Sequence, residues 1–158
     1  MAGTKPEPHS LSKQNRARED WAVLECDGGS RGNPGPAAIG VVLRLPGGEV
    51  VPISKYLGRK TNNEAEYEAL LFGLWLAHKR GAHKLTVLMD SELVIKQLYG
   101  KYRVKTPHLQ PLWRRAIWLL DNRFEEYDLG YIPRGQNEEA DALVNLALDR
   151  KMGKRRRK

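Results

Sequence analysis

The sequence of 158 residues contains one cysteine, Cys26, only two phenylalanines, and no long hydrophobic run. A single cysteine excludes an internal disulfide and any zinc site built from several thiolates. A membrane-spanning helix needs about 20 consecutive apolar residues, and no stretch of this sequence approaches that length. The N-terminus lacks the apolar core of a secretory signal and carries acidic residues, which transit peptides avoid. These absences predict a cytoplasmic, one-domain protein that folds without a disulfide or zinc.

The positive charge is unevenly distributed along the chain. The net charge is +8, and residues 150–158 hold seven of the 27 basic residues and no acidic one. Residues 21–149 hold 16 residues of each sign. Residues 1–20 are polar and show no periodicity, which is typical of disorder. We therefore expect a disordered N-terminal segment (1–20), a folded domain (21–149) and a basic C-terminal tail (150–158) that favours a polyanionic partner.

The pattern of the folded part predicts five strands and four helices in the order β-β-β-α-β-α-α-β-α. The predicted strands are 21–27, 39–45, 50–58, 84–90 and 124–132. The predicted helices are 61–79, 91–100, 106–120 and 137–149, and Thr61 with Glu64 forms a capping-box pattern. A three-strand meander followed by strands separated by helices is typical of an α/β fold in which helices cover a mixed sheet.

Four acidic residues occupy positions where a carboxylate is poorly hydrated. Asp27 and Asp90 end apolar strands, Glu66 lies on the apolar face of a predicted helix, and Asp141 adjoins apolar residues in the first turn of another. Burial of a carboxylate is costly unless a partner compensates its charge. Taken singly, each of these acids could therefore be a helix cap or a half-exposed strand end that stays in contact with water. If the four converge, a cation must balance them, and hard oxygen ligands favour Mg²⁺ or Mn²⁺. No phosphate-binding lysine loop, nucleophile elbow or zinc-protease motif offers other chemistry.

Four segments resemble type 1 ribonuclease H, the ribonuclease HI family. They are DGGSRGNPGPA at 27–37, TNNEAEY at 61–67, MDSELV at 89–94 and NEEADALVN at 137–145. The resemblance implies a ribonuclease H-like fold, with a five-stranded mixed sheet and helices on both faces. It also implies a monomeric endoribonuclease that hydrolyses the RNA strand of RNA–DNA hybrids by two-metal-ion catalysis. The two metal ions would be Mg²⁺, with Mn²⁺ as the alternative. The products would carry 5′-phosphate and 3′-hydroxyl ends.

The resemblance assigns both catalysis and metal binding to the four carboxylates. Asp27 would bridge the two ions, and Asp141 would help to hold the ion that activates the attacking water. Glu66 and Asp90 would help to hold the ion at the leaving 3′ oxygen. In-line attack on a phosphodiester needs charge neutralisation at the entering and leaving oxygens, which agrees with this assignment.

The resemblance also implies a set of substrate contacts. These residues are Gly28, Gly29, Asn33, Asn62, Asn63, Glu92, Lys101, Tyr102, Arg103, Lys105 and Arg134. Asn33, Glu66 and Glu92 are candidates for contacts with ribose 2′-hydroxyls, which distinguish RNA from DNA. The run 101–105 matches the family's DNA-strand-binding region. Turn and cap roles remain the alternative for the asparagines, and a solvated loop remains the alternative for the basic run.

The chain departs from the family pattern in three places. It lacks the longer basic insertion, or handle, of some bacterial members, and it has Glu92 where many members have glutamine. The stretch YIPRGQN (131–137) contains no histidine, although many members carry a catalytic histidine there. Arg134 occupies that loop and is expected to contact a phosphate or to assist product departure, with a surface turn as the alternative.

Three further interpretations of the whole sequence are open at this stage. Another nuclease with the same fold, such as a junction resolvase, would share the carboxylates, and a detached reverse transcriptase domain would share the fold. The third interpretation is a non-catalytic module that binds hybrids. The four acids argue against it, because in a module that only binds they would do nothing but repel the phosphates of the nucleic acid.

The tryptophans give a further set of expectations. Trp21, Trp75 and Trp113 are predicted to lie in the core. Trp118 shares a helix face with Arg114 and Arg115, which predicts either a stacking platform or a surface cation–π pair.

Overall fold

The computed structural model describes residues 9–10 and 18–153. The strands are β1 (His9–Ser10), β2 (Ala22–Ser30), β3 (Gly35–Arg44), β4 (Val50–Lys60), β5 (Lys84–Met89) and β6 (Glu126–Tyr131). The helices are α1 (Asn62–Lys79), α2 (Glu92–Leu98), α3 (Gln110–Arg123) and α4 (Glu138–Met152), and two 3-10 turns span Pro107–Leu109 and Arg134–Gln136. The five strands and four helices predicted from the sequence are all present in the predicted order.

The strands form one mixed sheet in the order β1-β6-β5-β2-β3-β4. The strands β2, β3 and β4 form an antiparallel meander, whereas β5 pairs parallel with both β2 and β6. The predicted five-stranded mixed sheet is therefore confirmed. The two-residue strand β1 extends it, because it pairs parallel with Gly130 and Tyr131 at the edge of β6.

Helices cover both faces of the sheet, as the family resemblance implies. Consecutive residues of a strand point to opposite faces, and β3 shows both environments. Ile39 packs into the main core, which α1, α2 and α3 form with the sheet. The next residue, Gly40, faces α4, where an added Cβ would lie 2.0 Å from the Ala140 carbonyl oxygen. Glycine at this position therefore allows α4 to pack directly on the backbone of β3.

The predicted strands 21–27 and 39–45 leave residues 28–38 as a glycine-rich turn, but the turn in the structure is shorter. Strand β2 continues through Gly28, Gly29 and Ser30, because these residues pair with 37–39 of β3. The turn is thereby confined to residues 31–34. The predicted capping box of α1 is confirmed: Thr61 Oγ1 accepts from the Glu64 backbone N–H at 3.1 Å, and Glu64 accepts from the Thr61 backbone N–H at 2.8 Å.

Two boundaries differ from the predicted domain limits. Helix α4 extends to Met152, so residues 150–152 of the predicted basic tail are helical. Gly153 follows as the C-cap, and residues 154–158 lie outside the described residues. Within the predicted disordered segment 1–20, His9–Ser10 form a strand and Arg18 bonds to Asp128, whereas residues 1–8 and 11–17 lie outside the described residues. A two-residue strand on a sheet edge leaves no periodic signal in the sequence.

Two predictions about side chains and helix starts are wrong. Trp75 is 50% exposed instead of buried, because it borders a cavity of about 350 Å³ at the surface between α1, β4 and α3, where its ring contacts Phe72. Helix α3 begins at Gln110 instead of at Thr106, because Pro107–Leu109 form a 3-10 turn first. Trp118 forms the surface cation–π pair, although its partner is Arg123, at 4.6 Å from the ring centre. No helix in the described part of the chain is long and apolar enough to span a membrane.

Candidate active site

Three of the four predicted carboxylates meet where the central parallel strands end. Asp27 lies on β2 and Asp90 directly follows β5, and the pairing of Cys26 with Met89 makes these two acids neighbours across the sheet. Glu66, in the second turn of α1, completes the group. One carboxylate oxygen from each of Asp27, Glu66 and Asp90 can be chosen so that all three atoms lie within 4.8 Å of one another.

The close approach of α1 to β2 places Glu66 in this group. A Cβ at Gly28 would lie 2.1 Å from the Ala65 carbonyl oxygen, so only glycine allows the helix to lie so near the strand. Glu66 is the next residue after Ala65 and is buried there. Gly28, predicted as a substrate contact, therefore has a structural role in addition to its position at the site.

The fourth carboxylate, Asp141, lies beside the other three. It projects from the first turn of α4 and contacts the Asp27 side chain, whose pKa its charge helps to raise. All four carboxylates line one cavity of about 310 Å³. The tight group within the described residues consists of Asp27, Glu66 and Asp90, and Asp141 flanks it on the Asp27 side.

The four carboxylates outnumber the cationic side chains that line the cavity. Burial, reinforced by the neighbouring carboxylates, raises the pKa of Asp27 to about 8. Burial raises the pKa of Glu66 to about 7, although a hydrogen bond from Ser91 and the charge of Arg134 oppose the increase. Burial also raises the pKa of Asp90, again against the effect of Arg134. Charged carboxylates at this density favour a bound cation.

The donor set fits a hard divalent cation. The groups that converge are carboxylate oxygens, which Mg²⁺ and Mn²⁺ prefer, and the cavity contains no thiol or imidazole among its lining residues. The positively charged side chain of Arg134 lies on the loop after β6, and its Nε is 3.9 Å from Asp90 Oδ2. Its side chain is 89% exposed, so it balances only part of the negative charge.

The predicted substrate contacts divide into two groups. Gly28, Gly29, Asn62 and Arg134 line the cavity together with the carboxylates. Asn33 lies on the adjoining turn and holds the start of α1, because its Oδ1 accepts from the Asn62 backbone N–H at 2.9 Å. Asn33 thus has a structural role at the turn and at the start of α1, and its contact with substrate stays a prediction.

The remaining candidates are not among the residues that line this cavity. Glu92 is exposed at the start of α2 and forms an ion pair with Lys96 at 2.8 Å. The run 101–105 forms the loop after α2, where Lys101, Tyr102 and Arg103 line a separate cavity of about 640 Å³ with Trp113. Asn63 and Lys105 line neither cavity.

Sequence patterns missed three polar residues at the carboxylates. Asn137 stands at the N-cap of α4, but it makes no capping bond; its buried amide instead donates to the Cys26 carbonyl oxygen at 3.0 Å. Asn145 donates to Asp141, and Arg31 donates to Asn145. The four-residue spacing of Asn145 from Asp141 on α4 was the available signal for that contact. No local pattern connects Arg31 to a helix more than a hundred residues away.

Known proteins provide an independent comparison. Residues 25–147 match the family model described as "Reverse transcriptase-like". A bifunctional protein of Mycobacterium tuberculosis is 46% identical over 129 residues, which are 80% of this chain and 35% of that protein. The chain thus spans about a third of the length of this relative.

Two solved structures share the fold over nearly their whole length. RNase H1 of the halophilic archaeon Halobacterium salinarum is 43% identical with a TM-score of 0.78, over 82% of this chain and 98% of that one. LC11-RNase H1, solved in complex with an RNA/DNA hybrid, is 39% identical with a TM-score of 0.77, over 83% and 99%. A mixed sheet that gathers carboxylates at the ends of its central strands is the architecture of the ribonuclease H-like class. This chain belongs to the ribonuclease H family, and both of these solved structures are described as RNase H1.

Proposed function

We propose that the protein is a monomeric endoribonuclease that hydrolyses the RNA strand of RNA–DNA hybrids with divalent metal ions. The observation that carries this proposal is the convergence of Asp27, Glu66 and Asp90 within 4.8 Å, with Asp141 beside them. The similar protein LC11-RNase H1 forms a complex with an RNA/DNA hybrid. This substrate class, transferred to the present chain, fits a site with anionic metal ligands beside a glycine-rich strand.

The four carboxylates would hold two Mg²⁺ ions. Asp27, central among the four, would share both ions, with Asp141 on one side and Glu66 and Asp90 on the other. The ions would supply the positive charge that stabilises the scissile phosphate and lowers the pKa of an attacking water. Cleavage of the bond between phosphorus and the 3′ oxygen leaves a 5′-phosphate and a 3′-hydroxyl.

The surroundings of the carboxylates suit a nucleic-acid strand. Gly29 leaves room at the rim, since a Cβ there would meet Val144 at 3.5 Å in ordinary contact. Asn62 is exposed at the rim, and Arg134 extends into solvent beside Asp90, so both can reach substrate phosphates. The cavity bordered by Lys101, Tyr102, Arg103 and Trp113 combines positive charge with an aromatic ring, which suits the DNA strand.

One assay tests both the reaction and the substrate class. Labelled RNA–DNA hybrid, duplex RNA, duplex DNA and single-stranded RNA are each incubated with Mg²⁺ or with chelator, and the product ends are mapped. We expect cleavage of the RNA strand in the hybrid alone, only with metal, and with 5′-phosphate ends. Asp27→Asn should lower hybrid cleavage by more than a hundred-fold while binding of the hybrid persists. Hybrid cleavage in chelator, or an Asp27→Asn variant within ten-fold of the unmodified protein, would contradict the proposal.

A second experiment tests recognition of the ribose. A hybrid with a single 2′-deoxynucleotide next to one scissile phosphate should be cut poorly at that position alone, because polar groups that contact the 2′-hydroxyl lose their partner. Equal cleavage with and without that hydroxyl would remove the recognition role proposed for Asn33, Glu66 and Glu92.

A further inference from the structure

A series of side chains connects the turn after β2 with the Asp141 carboxylate. Arg31 Nη2 donates to Asp149 Oδ1 at 2.7 Å and to Asn145 Oδ1 at 3.3 Å. Asn145 Nδ2 donates in turn to the Asp141 carbonyl oxygen at 3.2 Å and to Asp141 Oδ2 at 3.4 Å. Asp141, Asn145 and Asp149 are spaced four residues apart on α4, so they lie along one side of the helix.

The chemistry of the two bonding groups fixes the direction of this series. A guanidinium group can only donate hydrogen bonds, whereas an amide has one accepting and one donating end. Because Arg31 donates to the oxygen of Asn145, the amide nitrogen must face Asp141. Arg31 therefore sets the orientation of the Asn145 amide, and the amide holds one oxygen of the Asp141 carboxylate.

The Arg31 side chain is largely shielded from solvent, and its charge is paired with a residue other than the four carboxylates. The Arg31 side chain is only 12% exposed, and it lines the same cavity as the four carboxylates. Within the part of the chain that the structure describes, its ion-pair partner is Asp149, which is not one of those four. The charge of Arg31 is thus balanced at a distance from the metal ligands, and Asp141 receives a hydrogen bond from a neutral group.

We propose that Arg31 and Asn145 are positioning residues that hold the Asp141 carboxylate in the orientation needed to bind metal. This inference rests on the proposed function, which makes Asp141 a metal ligand. Residues that orient a metal ligand in this way typically change metal affinity or activity by 10–100-fold when they are replaced.

Two variants and one control test the proposal. Arg31→Met keeps the apolar length of the side chain but removes every donor, and Asn145→Ala removes the amide. Glu139→Gln is the matched control, because it weakens the ion pair of Arg44 with the first turn of the same helix and leaves Asp141 untouched. We measure Mn²⁺ affinity by calorimetry on each variant, and kcat and KM for hybrid cleavage separately.

We expect Arg31→Met and Asn145→Ala each to weaken Mn²⁺ binding and to lower kcat by roughly 10–100-fold. The KM for the hybrid should change little, and Glu139→Gln should resemble the unmodified protein. The double variant should lose no more than the larger single effect, because both changes interrupt one series of bonds.

Four outcomes separate the possible explanations. Mn²⁺ affinities of Arg31→Met and Asn145→Ala equal to that of the control overturn the proposal. Additive losses in the double variant also overturn it, because they show independent roles. If Arg31→Met does not fold, Asn145→Ala decides alone. If the unmodified protein cleaves no hybrid, the proposed function fails, while the Mn²⁺ titration still decides the positioning role.

Discussion

At the residue scale, Asp27 combines a central position with a buried charge. Burial and its neighbours raise its pKa from 3.8 to about 8. A carboxyl with a raised pKa binds its proton more tightly in the folded than in the unfolded state. The resulting stabilisation is complete below the unfolded pKa and is lost as the pH rises through the folded pKa. The free energy of unfolding of the metal-free protein should therefore decrease as the pH rises from about 4 to about 8.

Asp27→Asn removes this pH-dependent loss. In chelator at pH 8 the variant should be more stable than the unmodified protein, by on the order of a few kcal/mol, and the difference should shrink toward pH 4. Urea unfolding in chelator over a pH series measures the effect. Asp20→Asn is the control, because the Asp20 side chain is 66% exposed and pairs with Lys84, so its removal should bring no gain. A less stable Asp27→Asn variant at pH 8 would mean that Asp27 is a structural partner instead of a metal ligand.

The same carboxyls predict a pH dependence of metal binding. Burial raises the pKa of Asp27 to about 8 and that of Glu66 to about 7, and both must lose their protons to bind a cation. Mn²⁺ affinity should therefore increase steeply from pH 6 to pH 8, and binding should release protons. Calorimetry in buffers with different ionisation enthalpies counts the released protons. A pH-independent affinity over this range would contradict the proposed ligands.

At the scale of elements, the site depends on how closely α4 packs on the sheet. An added Cβ at Gly40 would lie 2.0 Å from the Ala140 carbonyl oxygen and 2.9 Å from the Leu143 Cβ. Gly40→Ala must therefore displace α4, which carries Asp141. We expect a loss of about 1–3 kcal/mol in the free energy of unfolding, together with weaker Mn²⁺ binding.

Gly135→Ala provides the comparison for this change. A Cβ at Gly135 would meet no atom within 4 Å, so the substitution should leave the unfolding free energy nearly unchanged. Chemical denaturation of both variants and of the unmodified protein measures the difference. Equal stability of the two variants would show that α4 can move away from β3 at no cost.

At the scale of the whole molecule, the excess positive charge and the candidate active site lie in different parts of the chain. Residues 21–149 hold equal numbers of basic and acidic residues, and residues 154–158 are all basic. A basic segment binds polyanions by releasing their counterions, and each neutralised phosphate steepens the salt dependence by about 0.9 on duplex DNA. Residues 154–158 should thus contribute to hybrid binding and not to chemistry.

Deletion of residues 154–158 should weaken hybrid binding at low salt and flatten its salt dependence, while kcat at saturating hybrid stays the same. Truncation after Gly153 keeps α4 intact, including Lys151, which lies 5.4 Å from the ring centre of Tyr56. A variant with the five basic residues replaced by glutamine separates the effect of charge from that of length. Fluorescence anisotropy over a salt series measures binding. Parallel salt slopes for all three proteins would show that the tail neutralises no phosphate.

The sequence by itself determined the order of the main elements and the four carboxylates, because each depends on local patterns. Apolar periodicity marks the strands and helices, and the capping box of Thr61 and Glu64 marks the start of α1. An acid directly after a run of apolar strand residues, as at Asp27 and Asp90, is anomalous wherever it occurs. These features need no knowledge of distant residues.

Only the tertiary structure decided which polar groups support those carboxylates. Asn137 resembles a helix cap in sequence, but its amide bonds to the backbone of β2, because α4 lies across that strand. Trp75 is apolar, yet it is half exposed because it borders a surface cavity between α1, β4 and α3. The connection from Arg31 through Asn145 to Asp141 joins segments more than a hundred residues apart. Such contacts depend on the packing of α4 against the sheet, which no local pattern specifies.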